Sequence, residues 1–159
     1  MSFNHFDDQG QAIMVDVSAK QQTLRTAVAQ ARVLLKPETL AAIKEGSMTK
    51  GDVLGVARLA GIAAAKKTPD LIPLSHPLAI HHVAIAFHTE DKSGEVRIEA
   101  TVRAFERTGV EMEAMTAASV AALTVYDMCK GTDKSIVIGE ISLLFKEGGK
   151  SGVYRREES

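Results

Sequence analysis

The chain has 159 residues, of which 45% are hydrophobic and 25% charged, and this length predicts one domain, residues 1–159, with a substantial buried core. A formal net charge of −1, only 4% aromatic residues and no Trp argue against a nucleic-acid-binding protein. The sequence has no signal-peptide pattern and no apolar run near the ~18 residues of a membrane span, so we expect a cytoplasmic protein without a membrane partner.

The first half of the chain predicts a strand, one ambiguous segment and two helices. "AIMVDVS" (12–18) alternates like a short strand, while residues 1–12 and 149–159 are predicted to be flexible. "TLRTAVAQARVLL" (23–35) alternates as a strand does, although its alanine content also suits a helix. "KPETLAAIKEG" predicts a short helix that begins near Pro37 and ends at Gly46. "TKGDVLGVARLAGIAAAKKT" predicts a longer helix with Thr49 as its N-cap.

The second half predicts a hairpin, a long helix and a last strand. "HHVAIAFHTE" (81–90) and "GEVRIEATVRAFE" (94–106) alternate with period two around the turn "DKSG". "GVEMEAMTAASVAALTVYDMCKG" (109–131) is typical of a buried helix with charged ends, and "SIVIGEISLLFKE" (135–147) of a strand. If residues 23–35 form a strand, the order predicts an α+β, ferredoxin-like βαββαβ sandwich. Its antiparallel sheet would have two main helices on one face, plus the short helix and the N-terminal strand.

The charged residues at the ends of the long helix have structural as well as chemical explanations. Glu111 follows Thr108 at capping-box spacing, and Glu113 lies in the first turn, where the helix dipole favours a solvated acid. Asp127 and Lys130 share a face at i,i+3 and could form a surface ion pair. Glu113 and Asp127 are roughly 21 Å apart along the axis, too far for one small pocket. Either there are two sites, or an oligomer places the front of one helix near the back of another.

Two further positions are candidates for ligand chemistry. Lys50 is predicted at the first position of its helix, where a cation is disfavoured unless an anion such as phosphate docks there. The alternative is a solvated lysine. His76 lies between Pro73 and Pro77 on a stiff loop, which suits a proton-transfer or phosphate-contacting group but also a loop histidine without a role. Ser75 can hydrogen-bond a ligand, but no triad spacing supports it as a nucleophile.

No metal site is predicted. His82 and His88 would be roughly 20 Å apart along an extended strand. The single cysteine, Cys129, excludes a disulfide framework and is most simply a packed thiol, and Met112 is most simply a core residue. "GGKSG" matches the end of a phosphate-binding loop, but Leu144 stands where that motif requires Gly.

Four segments together carry a family resemblance: "MVDVS", "KGDVLGVARLAGIAAAKKTPDLIPLSHPL", "TGVEMEAMTAASVAALTVYDMCK" and "GGKSG". They closely resemble the cyclic pyranopterin monophosphate synthase (MoaC-type) family of molybdenum-cofactor biosynthesis, over about Met14 to Gly152. The resemblance implies a lyase that converts 3′,8-cyclo-7,8-dihydro-GTP, a nucleotide-derived substrate, to cyclic pyranopterin monophosphate with release of pyrophosphate. It also implies a ferredoxin-like subunit in a homohexamer, a trimer of dimers with active sites at subunit interfaces, and no redox cofactor.

The resemblance further implies residue roles. Asp127 takes the place of the family's catalytic aspartate, and Lys130 is its acid/base partner. The substrate-binding loop carries Ser75 where many members have Cys. Arg25 and Lys146 are weaker matches, expected to contact phosphate because of their charge. The implied substrate-binding residues are Arg25, Lys50, Leu74, Ser75, His76, Glu111, Met112, Glu113 and Lys146.

The alternative from another class is a non-enzymatic, ferredoxin-like small-ligand-sensing module. It predicts ligand binding without turnover, and little functional change in Asp127→Ala. The combined motifs favour the enzyme.

Overall fold

The four longer strands and the three longer helices follow the predicted order in the computed structural model of the chain, which describes residues 4–157. The elements are β1 (Thr23–Leu34), α1 (Pro37–Glu45), α2 (Val53–Lys66), α3 (Thr68–Leu71), β2 (His82–Glu90), β3 (Glu95–Glu106), α4 (Glu111–Cys129), β4 (Val137–Glu147) and β5 (Tyr154–Arg155). The ambiguous alanine-rich segment is therefore a strand. The predicted short helix is confirmed, with Pro37 in its first turn and Gly46 at its end in the left-handed conformation (φ 70°).

The strands form one antiparallel sheet in the order β2-β3-β1-β4-β5. The first four strands have the ferredoxin-like arrangement, so the predicted fold class is confirmed. β1 is central, with Ala29 opposite Ala100 of β3 on one side and Leu143 of β4 on the other. The predicted hairpin of β2 and β3 is also present. Because β3 and β4 each run antiparallel to β1, the start of β1 and the ends of β3 and β4 meet at one end of the sheet.

Small residues let α2 and α4 pack closely on one face of the sheet. Five alanines of α4 and three of β1 are fully buried: Ala114, Ala117, Ala118, Ala121, Ala122, Ala27, Ala29 and Ala31. Gly61 of α2 faces α4 so closely that a Cβ there would lie 3.0 Å from the Ala117 carbonyl oxygen. This packing fixes the direction of α4, and with it the positions of the charged residues at its two ends.

The other face of the sheet is strongly charged, and no helix of residues 4–157 packs on it. Arg32 bridges Glu95 and Glu140, with an Arg32–Glu140 distance of 2.7 Å. A broad, open concavity of about 1210 Å³ lies here, and none of the site residues predicted from the sequence lines it. The candidate chemistry is therefore at the ends of α4, away from this concavity.

Two local predictions are wrong. The strand predicted over residues 12–18 does not form: Ala12 makes an isolated bridge with Phe6, and residues 13–18 belong to none of the strands described. The N-cap of α2 is Asp52 rather than Thr49, since the Asp52 carboxylate accepts a hydrogen bond from the Gly55 amide at 2.9 Å.

The predicted flexible ends include residues 1–3 and 158–159, which lie outside the described residues. In the part of the C-terminal end that is described, β5 pairs with β4 through Tyr154 and Arg155. Across residues 4–157, none of the helices combines the length and hydropathy required to cross a bilayer.

Candidate active site

The rear end of α4 holds three charged residues, Lys50, Asp127 and Lys130, which we call the rear cluster. Lys130 Nζ donates a 2.6 Å hydrogen bond to Asp127 Oδ1, which confirms the ion pair predicted from their spacing. Lys50 Nζ lies 3.5 Å from Asp127 Oδ2 and donates to the Asp127 backbone carbonyl at 3.0 Å. All three side chains are half exposed, between 50% and 58%. The cluster is therefore open to a ligand or to another protein surface.

The charges of the rear cluster shift the pKa values of Asp127 and Lys130. The hydrogen bond and charge of Lys130, together with the charge of Lys50, hold the pKa of Asp127 below its usual range. The hydrogen bond and charge of Asp127 raise the pKa of Lys130 in turn. At neutral pH the pair is thus a carboxylate beside an ammonium group. Asp127 can accept a proton and Lys130 can donate one.

Lys50 reaches the rear cluster from a different position than expected. It precedes α2 in a turn, where Gly51 has a φ of 92°, so it does not lie at the first position of that helix. The predicted position of Lys50 at the first residue of α2 is therefore wrong. Instead, Lys50 binds the last turn of α4, where a cation interacts favourably with the helix dipole.

Asp133 anchors the chain just after the rear cluster, and sequence inspection missed it. Its buried carboxylate accepts hydrogen bonds from the Lys36 amide (2.8 Å) and the Thr39 hydroxyl (3.3 Å) at the start of α1. It also accepts from the amide and hydroxyl of Ser135. Burial opposes its ionisation, but the hydrogen bonds from Lys36 and Ser135 lower the pKa of Asp133 to about 2. The exit of α4 behind Lys130 is consequently held rigidly.

The front end of α4 holds a second group of charged residues, Arg25, Glu111 and Lys146, which we call the front cluster. Lys146 Nζ lies 2.8 Å from Glu111 Oε1 and 3.2 Å from the Ser151 hydroxyl. A cavity of about 220 Å³ lies against the cluster. Its basic lining residues are Lys20, Arg25, Arg107 and Lys146. Lys20 and Arg107 escaped the sequence analysis, although Arg107 directly precedes the "TGVEME" stretch.

The predicted capping box at the front of α4 is wrong. The N-cap is Val110, with no side-chain hydrogen bond to the helix amides. Glu111 turns to Lys146 instead, because β4 brings that ammonium group within hydrogen-bond distance. This leaves the front of α4 without side-chain capping.

Arg25 organises the walls of the cavity. Its guanidinium group donates to the carbonyls of Glu106 (3.2 Å), Arg107 (3.1 Å) and Gly148 (3.1 Å), and the residue is only 9% exposed. Since three of its five N–H donors are occupied by the protein, only two remain for a ligand. Lys146 is the more exposed of the two cations, at 27%.

The position of Glu113 in the first turn predicts a solvated acid, but the side chain is buried. It is 2% exposed, and its Oε1 has no hydrogen-bond partner among the described residues. Burial, reinforced by the charge of Glu111 and opposed by its own backbone amide, raises the pKa of Glu113 to about 7. Such a carboxyl can donate or accept a proton near neutral pH. Met112 beside it is 37% exposed, so the simple expectation of a core residue is wrong.

Replacement of Glu113 by Gln is expected to change the pH dependence of folding. The folded pKa of about 7 exceeds the ordinary 4.5, so the folded state holds the extra proton between these values. The free energy of unfolding of the wild type therefore falls as pH rises through this interval. Glu113→Gln should remove this fall in the free energy of unfolding. Near pH ~8 it should be more stable than the wild type, by about 1–2 kcal/mol after allowance for solvent screening. Urea denaturation at several pH values measures this.

Glu111→Gln is the matched control for Glu113→Gln. It changes an acid in the same turn that is ion-paired to Lys146. Because burial is the largest cause of the raised pKa of Glu113 and the charge of Glu111 only reinforces it, the pH-dependent fall should persist, somewhat reduced. Parallel stability curves for the wild type and Glu113→Gln would contradict the assignment.

The loop of residues 72–81 lies next to the front cluster. The Ala79 amide donates to Glu106 Oε1 at 3.3 Å, and Glu106 precedes the cavity-lining Arg107. The Ser75 amide donates to the Ile72 carbonyl at 3.0 Å, which forms a turn before His76. The His76 ring contacts the Val15 carbonyl, at an Nε2–O distance of 2.6 Å. Leu74, Ser75 and His76 are all partly exposed.

The two clusters cannot share one ligand within a chain. Glu111 and Asp127 are separated by 16 residues of continuous helix, roughly 24 Å at 1.5 Å per residue. The front end of α4 offers the cations of the front cluster, a cavity and the Glu113 carboxyl with a pKa of about 7, whereas the rear cluster offers a carboxylate–ammonium pair. Together they supply anion binding and proton transfer.

Neither a metal centre nor a reactive thiol adds to these clusters. Among residues 4–157, no three His, Cys, Asp or Glu side chains are arranged to hold a metal ion. Cys129 is buried, as expected for a packed thiol, and burial raises its pKa to about 11. A thiol with that pKa is a poor nucleophile at neutral pH.

Comparisons with known proteins assign the chain to a family. A profile of the MoaC family matches residues 14–149. A protein from Geotalea uraniireducens (strain Rf4) named cyclic pyranopterin monophosphate synthase is 78% identical over 158 residues, 99% of both chains. Proteins of the same name from Geobacter metallireducens and Roseiflexus sp. (strain RS-1) are 76% and 57% identical, over 99% and 93% of this chain and 99% and 94% of theirs. This chain belongs to the MoaC family.

Proposed function

We propose that this chain is a cyclic pyranopterin monophosphate synthase of molybdenum-cofactor biosynthesis. It converts 3′,8-cyclo-7,8-dihydro-GTP to cyclic pyranopterin monophosphate and releases pyrophosphate, a phosphorus–oxygen lyase reaction. Family membership and relatives of that name at 69–78% identity over nearly the whole chain support the assignment. The structural observation that carries it is the Asp127–Lys130 pair with Lys50 beside it, exposed at the end of a rigid helix.

The charge distribution fits the ligand chemistry of this reaction. The substrate carries a triphosphate, and the basic residues at the front cavity are suited to bind it. The cyclic phosphate forms when a sugar hydroxyl attacks the α-phosphorus and the bond to the leaving pyrophosphate breaks. Lys146 and Arg107 can stabilise the charge that develops on the leaving oxygens. Ser75 and His76, on the loop next to this cavity, are assigned to substrate binding together with Leu74 and Met112.

Proton transfer is assigned to Lys130, Asp127 and Glu113, because their protonation states near neutral pH allow them to donate or accept protons. Opening the purine-derived ring and closing the pterin ring require several proton transfers. In the separate chain Lys130 is an ammonium group with a raised pKa, so it enters the reaction as a proton donor. Asp127 enters as a carboxylate and accepts protons. Glu113, with a pKa of about 7, serves either direction at the front end.

A complete active site requires two chains in this proposal. The front and rear clusters lie roughly 24 Å apart along one helix; the rear cluster is half exposed, and a cavity lies against the front cluster. We therefore place the site between the front of one α4 and the rear of another, in a homohexamer arranged as a trimer of dimers. The unpaired cysteine is consistent with a cytoplasmic location, where thiols stay reduced.

Turnover of the nucleotide tests the proposed function directly. Enzymatically prepared 3′,8-cyclo-7,8-dihydro-GTP is incubated with the purified full chain, and pyrophosphate release and the pterin product are followed. We expect one pyrophosphate released for each pterin formed. Binding of the nucleotide without pyrophosphate release would overturn the enzyme assignment and favour the ligand-sensing module.

A further inference from the structure

The segment of residues 15–20, here called the N-terminal segment, joins the His76 loop to the front cluster. At its start, the Val15 carbonyl lies 2.6 Å from His76 Nε2. At its end, the Lys20 carbonyl accepts a hydrogen bond from Arg107 Nε at 3.1 Å. The segment is in no strand or helix, so these contacts fix its course.

Two local hydrogen bonds shape the N-terminal segment between these contacts. The Ser18 amide donates to Asp16 Oδ1 at 2.8 Å, an Asx turn formed by an exposed side chain. The Lys20 amide donates to the Val17 carbonyl at 3.0 Å. The carbonyl that contacts His76 belongs to the peptide group between Val15 and Asp16. The Asx turn starts at Asp16, so it begins directly at this peptide group.

The contact with Val15 determines which ring nitrogen of His76 carries the proton. A backbone carbonyl oxygen can only accept a hydrogen bond, so Nε2 must be the donor. In a neutral imidazole the other nitrogen, Nδ1, then has a free lone pair. No protein group among residues 4–157 makes a hydrogen bond with His76 Nδ1. Nδ1 is therefore the one ring atom available to a ligand.

We propose that the N-terminal segment is a positioning element that holds His76 as the Nε2–H tautomer, so that Nδ1 exchanges protons with the substrate. When Nδ1 takes a proton from the substrate, the Val15 carbonyl continues to hold Nε2–H and stabilises the imidazolium; the proton later returns from Nδ1. Asp16 is a positioning residue, because its turn orients the Val15–Asp16 peptide group. The inference rests on the proposed function for the identity of the proton donor.

Two substitutions of Asp16 separate this role from a general structural one. Asp16→Ala removes the acceptor of the Ser18 amide, whereas Asp16→Asn keeps an Oδ1 that accepts the same bond. Asp16 is exposed and lies outside the sheet and the helices, so neither change threatens folding. The ring-nitrogen resonances of ¹⁵N-histidine-labelled full chain, recorded without substrate in mildly alkaline buffer, report the tautomer. A His76→Gln spectrum assigns the signals.

We expect an Nε2–H signal and an unprotonated Nδ1 signal for His76 in the wild type and in Asp16→Asn, but an averaged mixture of tautomers in Asp16→Ala. In the turnover assay, Asp16→Ala should lower kcat by about tenfold with KM little changed, and Asp16→Asn should retain wild-type kcat. An Nδ1–H or averaged ring in the wild type would overturn the proposal, as would an unchanged His76 signal in Asp16→Ala. Because the spectra need no substrate, they decide whether the N-terminal segment fixes the tautomer of His76 even if the wild type does not turn over the nucleotide.

Discussion

Replacing Asp127 by Asn is expected to reduce kcat by about 10²–10⁴-fold, the usual contribution of a positioned acid/base group. Asn has the same size, but it cannot take up a proton. Lys130 and Lys50 hold the pKa of Asp127 below its usual range, so the wild type presents a carboxylate at neutral pH. KM should change little if the lost interaction belongs to proton transfer. Steady-state kinetics of pyrophosphate release measure both constants.

The stability of Asp127→Asn should match that of the wild type. Asp127 is 58% exposed, and exposed ion pairs contribute little to folding. Thermal unfolding should therefore give the same Tm. Loss of activity with an unchanged Tm would identify a chemical rather than a structural role.

The chain contains a matched control for this substitution. Lys67 and Asp70 also form an exposed i,i+3 pair, with an Nζ–Oδ2 distance of 3.8 Å, and they lie outside both clusters. Asp70→Asn removes the same charge from the same kind of pair and should keep wild-type kcat. If Asp127→Asn retained more than about a tenth of the wild-type kcat, Asp127 would not be an acid/base group in this reaction.

The fold was largely predictable because its signals are local. Period-two alternation identified β2 and β3, and a proline and a glycine marked the two ends of α1. β1 remained ambiguous because alanine suits both helix and strand in isolation. Its conformation is decided by β3 and β4, which pair with its two edges, and by the small residues of α4 that cover it. Those partners are distant in sequence.

The candidate site divides in the same way. The Asp127–Lys130 pair was predictable because helical spacing alone brings the side chains together. The contact of Lys50 with Asp127 spans 77 residues, and no sequence pattern indicates it. The burial of Glu113 and the pairing of Glu111 with Lys146 likewise depend on elements that pack beside α4. At the start of α2, Asp52 rather than Thr49 is the N-cap. N-cap propensity did not decide between them, because both residue types are favoured at this position.

Mixing a front-cluster variant with a rear-cluster variant is expected to restore activity that neither has alone. Lys146→Ala removes a cation of the front cluster, and Asp127→Asn disables the rear cluster. If each active site takes its front from one chain and its rear from another, a mixture assembled from equal amounts contains some sites with both clusters intact. Half of the fronts and half of the rears are wild type, so the recovered activity should approach about a quarter of the wild-type value.

A mixture of Asp127→Asn chains with Lys130→Ala chains controls for recovery of activity that does not come from sites shared between chains. These residues lie on one helix turn with their charged atoms 2.6 Å apart, so every site receives both from the same chain. No mixture of the two variants can then contain an intact rear cluster, and activity should stay at background. Native mass spectrometry of differently tagged chains verifies that mixed oligomers have formed in both experiments.

If mixed oligomers of Lys146→Ala and Asp127→Asn form but remain inactive, the front and rear clusters do not meet across chains. The roughly 24 Å between them would then separate two independent sites on each subunit.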